Sequence, residues 1–101
     1  MTRVTPVIGS GSDDRARVAL AFGSTLRDVR RLRGLTKEEL ALAGGFDRTY
    51  PSLLERGLRT PTLGVLFRLA EALGVEPCRL VTLTEIQLSS SGEARPGAAP
   101  D

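Results

Sequence analysis

The chain has 101 residues with 14 basic and 12 acidic side chains, one cysteine, one methionine and neither histidine nor tryptophan. That length suits one domain, and a lone cysteine excludes an internal disulfide framework. Without histidine a zinc site is hard to assemble, so no metal and no other cofactor is expected. No apolar run approaches the roughly 18 residues of a membrane span, and residues 1–14 lack the charged-then-apolar layout of a signal peptide. A soluble, cytoplasmic protein is the expectation.

The missing histidine also weakens enzyme readings, because that side chain is the usual general base near neutral pH. Cys78 has no histidine to activate it, and no Gly-rich loop carries a P-loop lysine. Glu38 and Glu39 are adjacent, but consecutive helical residues point about 100° apart and do not converge on one substrate atom. The sequence reads as a binding protein with no catalytic residues.

Composition divides the chain into a flexible N-terminal tail at 1–14, a folded domain at 15–87 and a disordered C-terminal tail at 88–101. The domain reads as all-α, a compact set of five short helices. The first opens near Asp13-Asp14 and closes with Arg30, Arg31 and Arg33 before Gly34, burying Phe22, Leu26 and Val29. Gly23 weakens its middle, which predicts fraying or separate packing of the stretch before it.

Thr36-Lys37-Glu38-Glu39 is a capping box that starts a second helix, with Leu40, Ala41 and Ala43 as its apolar face and Gly44-Gly45 as its stop. Asp47 is the expected cap of a third helix through Arg56, stopped by Gly57. A fourth follows Thr62, with Leu63, Leu66, Leu69, Ala70 and Leu73 as core face and Gly74 as terminator. The fifth starts at Glu76-Pro77, buries Leu80 and Leu83, and fades near Gln87.

Two short helices separated by a tight turn containing Gly45 have the spacing of a helix-turn-helix, whose second helix enters the DNA major groove. The small Ala41 permits a close crossing, Phe46 fills the wedge, and Leu54 anchors the second helix. The landmarks GLTKEELA, DRTYPSLLERG, PTL and RLAEALGV occur in register over residues 34–75. With Phe22 to Arg33 added, roughly 60 of the 101 residues resemble the Xre-type helix-turn-helix regulators of the phage lambda repressor and Cro kind. The resemblance implies a bacterial or phage transcription regulator that binds double-stranded operator DNA, usually as a homodimer.

The resemblance also assigns roles. Arg30 matches the arginine that pairs with the glutamate of ERG, here Glu55, either as a purely structural ion pair or with donors left over for a phosphate. Lys37 stands at the start of the second helix, where the family usually has glutamine, and is a phosphate-contact candidate. Arg48, Thr49, Ser52 and Leu53 occupy the face that touches base edges in the family. Arg48 suits guanine O6 and N7, and Leu53 suits a thymine methyl. Tyr50, Arg56 and Arg59 are further phosphate candidates, with ordinary solvated charge as the plain alternative for the two arginines. Pro51 departs from the family's isoleucine or valine and predicts a bent or tightened start to the third helix.

Residues 15–59 carry ten basic and five acidic side chains, whereas the remainder carries four and seven. Such asymmetry suits a polyanion on one part of the molecule. Leu80, Val81 and Leu83 are candidates for a dimer contact or for core. Two other readings stand beside the operator-binding repressor: an antitoxin or restriction–modification controller of the same fold, and a helix-turn-helix used to bind another protein.

Overall fold

A computed structural model describes residues 12–93, and these form five helices with no strand among them. The helices are α1 (Ser12–Leu32), α2 (Lys37–Gly44), α3 (Tyr50–Glu55), α4 (Leu63–Leu73) and α5 (Pro77–Glu93). Helix α1 lies against α5 and α3, while α4 bridges α2 and α5. Phe22, Leu26, Leu40, Leu54, Leu69, Leu73 and Leu80 meet in one core, so every helix contributes at least one buried side chain. Among the described residues no helix is long and apolar enough to cross a membrane, and no cluster of potential metal ligands occurs.

Contrary to the fraying expected from Gly23, α1 is continuous from Ser12 to Leu32. The reason is tertiary. A Cβ at residue 23 would stand 2.5 Å from the Leu54 carbonyl oxygen and 2.6 Å from that of Glu55. Glycine therefore lets the end of α3 rest directly on α1, and that contact outweighs its poor helix propensity. Helix α1 also begins inside the segment read as a tail, and the remainder of that tail, residues 1–11, lies outside the described residues.

The capping box of α2 is formed. The Glu39 amide donates to Thr36 Oγ1 at 3.0 Å, and the Thr36 amide donates back to Glu39 Oε1 at 2.8 Å. Its apolar face is narrower than expected, because Leu40 and Ala41 are buried but Ala43 is exposed. At its other end Gly45 takes φ +71°, a left-handed conformation that turns the chain sharply, and the Phe46 amide donates to the Ala41 carbonyl at 2.8 Å. Thr62 caps α4 by accepting from the Val65 amide.

Three helix-level expectations need correction. Leu63, expected in the core face of α4, is 70% exposed, since at the first helical position it projects past the core. Helix α5 does not fade at Gln87 but continues to Glu93, overlapping the stretch read as a disordered tail. Leu80, Thr84 and Leu88 recur at four-residue spacing and are all buried, which extends the seam between α5 and α1 by two turns. Residues 94–101 lie outside the described part. The third correction concerns α3, which is only six residues long.

Candidate nucleic-acid interface

The helix expected over 47–56 spans Tyr50–Glu55, preceded by a tight turn over Arg48 and Thr49. Pro51 has no N–H, so the usual bond from residue 51 to the Asp47 carbonyl cannot form. The Tyr50 amide takes that carbonyl instead at 3.0 Å, a tighter three-residue turn that leaves no acceptor stranded. Pro51 itself is buried, packing its ring inward where an aliphatic side chain would otherwise sit.

Asp47 does not cap the helix; it caps the turn. Its Oδ2 accepts from both the amide and the hydroxyl of Thr49. The Thr49 hydroxyl bond, then the Thr49 amide bond, hold the exposed Asp47 carboxyl below its ordinary range. The Thr49 hydroxyl proton is thereby committed, leaving its lone pairs to act as acceptors toward a ligand.

Helix α3 turns Pro51 and Leu54 inward and leaves Arg48 and Thr49 exposed, with Ser52 and Leu53 half-buried. These four side chains line one concavity with Lys37 and Arg56, so six of the predicted contact residues share a surface. Glu38 lines it too. Sequence reasoning gave Glu38 no role on this surface, although its place beside Lys37 in the first turn of α2 was the available signal. As an acceptor-only group beside three cations, its carboxylate suits a donor such as a cytosine amino group.

Tyr50 and Arg59 sit elsewhere. The Tyr50 ring is half-buried and tilts against Phe46 with centroids 5.5 Å apart. Arg59 is exposed in the loop after α3, where its only hydrogen bond among the described residues is to the neighbouring Leu58 carbonyl.

Arg30 and Glu55 form a two-pronged pair. Arg30 Nε donates to Glu55 Oε2 at 2.6 Å and Nη2 to Oε1 at 3.0 Å, while Nη1 donates to the Leu35 carbonyl at 2.9 Å. One guanidinium thus ties the end of α3 to α1 and to the α1–α2 connection. The hydrogen bonds to Glu55, opposed in part by burial, raise the Arg30 pKa above its ordinary value. Arg30 is 8% exposed, so its geometry favours the structural reading over the phosphate one.

Arg68, absent from the sequence-based candidates, holds the turn between α2 and α3. From α4 it reaches back to donate to the Gly44 carbonyl at 3.0 Å and the Gly45 carbonyl at 2.9 Å. Its guanidinium carbon lies 4.5 Å from the centroid of the Phe46 ring, whose other neighbour is Tyr50 at the head of α3. Arg68→Ala is expected to lower stability by about 1–2 kcal/mol in urea denaturation. Arg68→Lys should recover less than half of that, because an ammonium cannot bridge two carbonyls and lie flat on a ring together.

Of the dimer candidates, Leu80 cannot meet a partner, since it is fully buried in the core. Leu83 is half-buried and packs against that core, whereas Val81 is 53% exposed. Val81 shares an apolar surface with Leu63.

Comparison with known proteins agrees with this geometry. A family profile described as helix-turn-helix matches residues 26–80. The uncharacterized HTH-type transcriptional regulator y4dJ of Sinorhizobium fredii is 49% identical over 63 residues, covering 62% of this chain and 82% of the relative. The crystal structure of the restriction–modification controller protein C.AhdI from Aeromonas hydrophila superposes with TM-score 0.60 at 42% identity, covering 61% of this chain and 94% of that one. The controller C.Esp1396I, solved as a tetramer with its natural 35 base-pair operator, gives TM-score 0.66 at 25% identity over 71% of this chain and 95% of that one. These relatives are named as regulators and controllers rather than enzymes.

Proposed function

The chain belongs to the Xre-type helix-turn-helix family of transcriptional regulators, and from that premise we propose that it represses transcription by inserting α3 into the major groove of its operator. It acts in the cytoplasm as a homodimer on a near-palindromic site, with no catalytic step. The observation that carries this reading is the single surface shared by Arg48, Thr49, Ser52 and Leu53 with the flanking cations Lys37 and Arg56. In this reading Arg48, Ser52 and Leu53 read base edges and Thr49 accepts from a base or positions Asp47. Lys37, Arg56 and Arg59 hold phosphates, and the Tyr50 hydroxyl adds another such contact at the edge. Arg30 contributes by fixing α3 through Glu55. Val81, with Leu63 beside it, supplies the dimer contact.

Similarity to C.AhdI favours one narrower version, control of a restriction–modification locus, which uses the same face on a different operator. Selection of bound duplex from a random pool tests the proposal. Two inverted half-sites about one helical turn apart are expected. Arg48→Ala should relax preference at one position per half-site, by about 1–3 kcal/mol. Recovery of no consensus, or of one unaffected by Arg48→Ala with Ser52→Ala, would overturn the reading and favour a protein-binding role.

A further inference from the structure

The helix-turn-helix match begins at residue 26, whereas α1 begins at Ser12, so almost four turns of α1 precede the matched region. These turns run alongside the loop that leaves α3. A Cβ on Gly57 would lie 2.6 Å from Leu20 Cδ2 and 3.2 Å from Leu20 Cα, which measures how closely the two segments approach. One turn earlier, Arg15, Ala16 and Ala19 line a concavity together with Arg59 and Thr60. Its described lining holds two guanidinium groups and a hydroxyl, and no carboxylate.

Among the described residues, neighbouring charges do not neutralise this pair. Arg17, two residues further along α1, is paired with Asp14 at 3.3 Å and lines a different concavity with Ser24 and Gln87. Arg15 is exposed and makes no hydrogen bond or ion pair among the described residues. Among the described residues Arg59 donates only to its neighbour's carbonyl, at 3.4 Å. The small side chains Ala16 and Ala19 leave the floor between the arginines open to a bulky group. Two unpaired guanidiniums around one open surface suit an oxyanion with several acceptors, and both geometry and weak hydration make arginine the fitting partner for phosphate.

We propose that Arg15 and Arg59 form a second cationic seat for the sugar–phosphate backbone of the operator, built by the part of α1 that precedes the helix-turn-helix. The inference rests on the DNA-binding reading above and extends the contacted backbone beyond the end of α3. It assigns Arg15 to binding affinity rather than to sequence choice.

The test measures binding of the full chain to the selected duplex, and to a scrambled duplex of equal length, by fluorescence anisotropy across a salt series. Arg15→Gln is expected to weaken both duplexes by a similar factor, about three- to tenfold at low salt. It should also flatten the slope of log K against log salt by about 0.9. Arg17→Gln should leave both quantities close to wild type, and Arg15→Lys should restore most of the slope. An Arg15→Gln chain with wild-type affinity and slope overturns the assignment, as does an equal effect of Arg17→Gln, which would mean net charge alone is felt. If the wild-type chain binds no duplex, the DNA-binding reading fails and this inference with it. Wild-type binding that is indifferent to Arg15 overturns the inference alone.

Discussion

Glu55→Ala is expected to lower the unfolding free energy by about 3–4 kcal/mol, and the melting temperature by more than about 10 °C. The side chains of Arg30 and Glu55 are 9% and 6% exposed, so neither is substantially served by water. Removing the carboxylate leaves Nε and Nη2 without acceptors in a site shaped around them, and an uncompensated buried charge is far more costly than the intact pair is stabilising. The Nη1 bond to Leu35 survives, so swinging the charge out to solvent would cost that bond as well.

A second variant separates charge from packing. Replacing Arg30 by methionine and Glu55 by leucine should regain part of the loss, because no orphaned charge remains even though the Leu35 carbonyl loses its donor. Thermal melts should therefore place the double variant above Glu55→Ala, although it removes more native side-chain atoms. A neutral Glu55→Ala would show that the pair does not carry the attachment of α3. The same variant should weaken operator binding beyond its effect on folding, since α3 has only six residues and no side-chain cap.

Which features the sequence displayed follows from the range over which each is encoded. The capping box at Thr36 and Glu39 lies within four residues, and its hydrogen bonds are those that the residue types dictate. The helix-turn-helix itself was legible for a similar reason, as cap, short apolar face, glycine turn and second helix follow in local order. Arg68 was not, because its acceptors lie 23 and 24 residues earlier and nothing in RLAEALGV signals that reach.

Leu80, Val81 and Leu83 show how a cluster of apolar letters misleads. Leu80 and Leu83, three residues apart, lie on one side of α5, whereas Val81 points about 100° away from Leu80. Leu80 joins the core, Leu83 borders it, and Val81 faces out. The serines after Leu88 read as a tail by composition, but one buried leucine at the right spacing carries α5 past them. Asp47 was a sound cap by type; the proline four residues on shifted the helix start and left the carboxylate holding the turn.

Gly23→Ala is expected to destabilise the fold by on the order of 3 kcal/mol, opposite in sign to what helix propensity alone implies. In an exposed helix interior that change gains up to about 1 kcal/mol, because alanine loses less backbone freedom on folding. Here the added methyl meets two carbonyl oxygens of the α3 backbone at 2.5 and 2.6 Å, with the Glu55 carbonyl carbon at 2.9 Å. None of these is the end of a flexible side chain. To admit the methyl, α3 must move away from α1 as a unit, which lengthens the Arg30–Glu55 bonds and uncovers Leu54, now fully buried. The same displacement moves Arg48 and Ser52 relative to Lys37, so operator affinity should fall together with stability. Urea denaturation reads the first effect and anisotropy with the selected duplex the second. A stabilised Gly23→Ala chain with unchanged binding would mean that α1 and α3 do not approach as closely as the crossing at residue 23 requires.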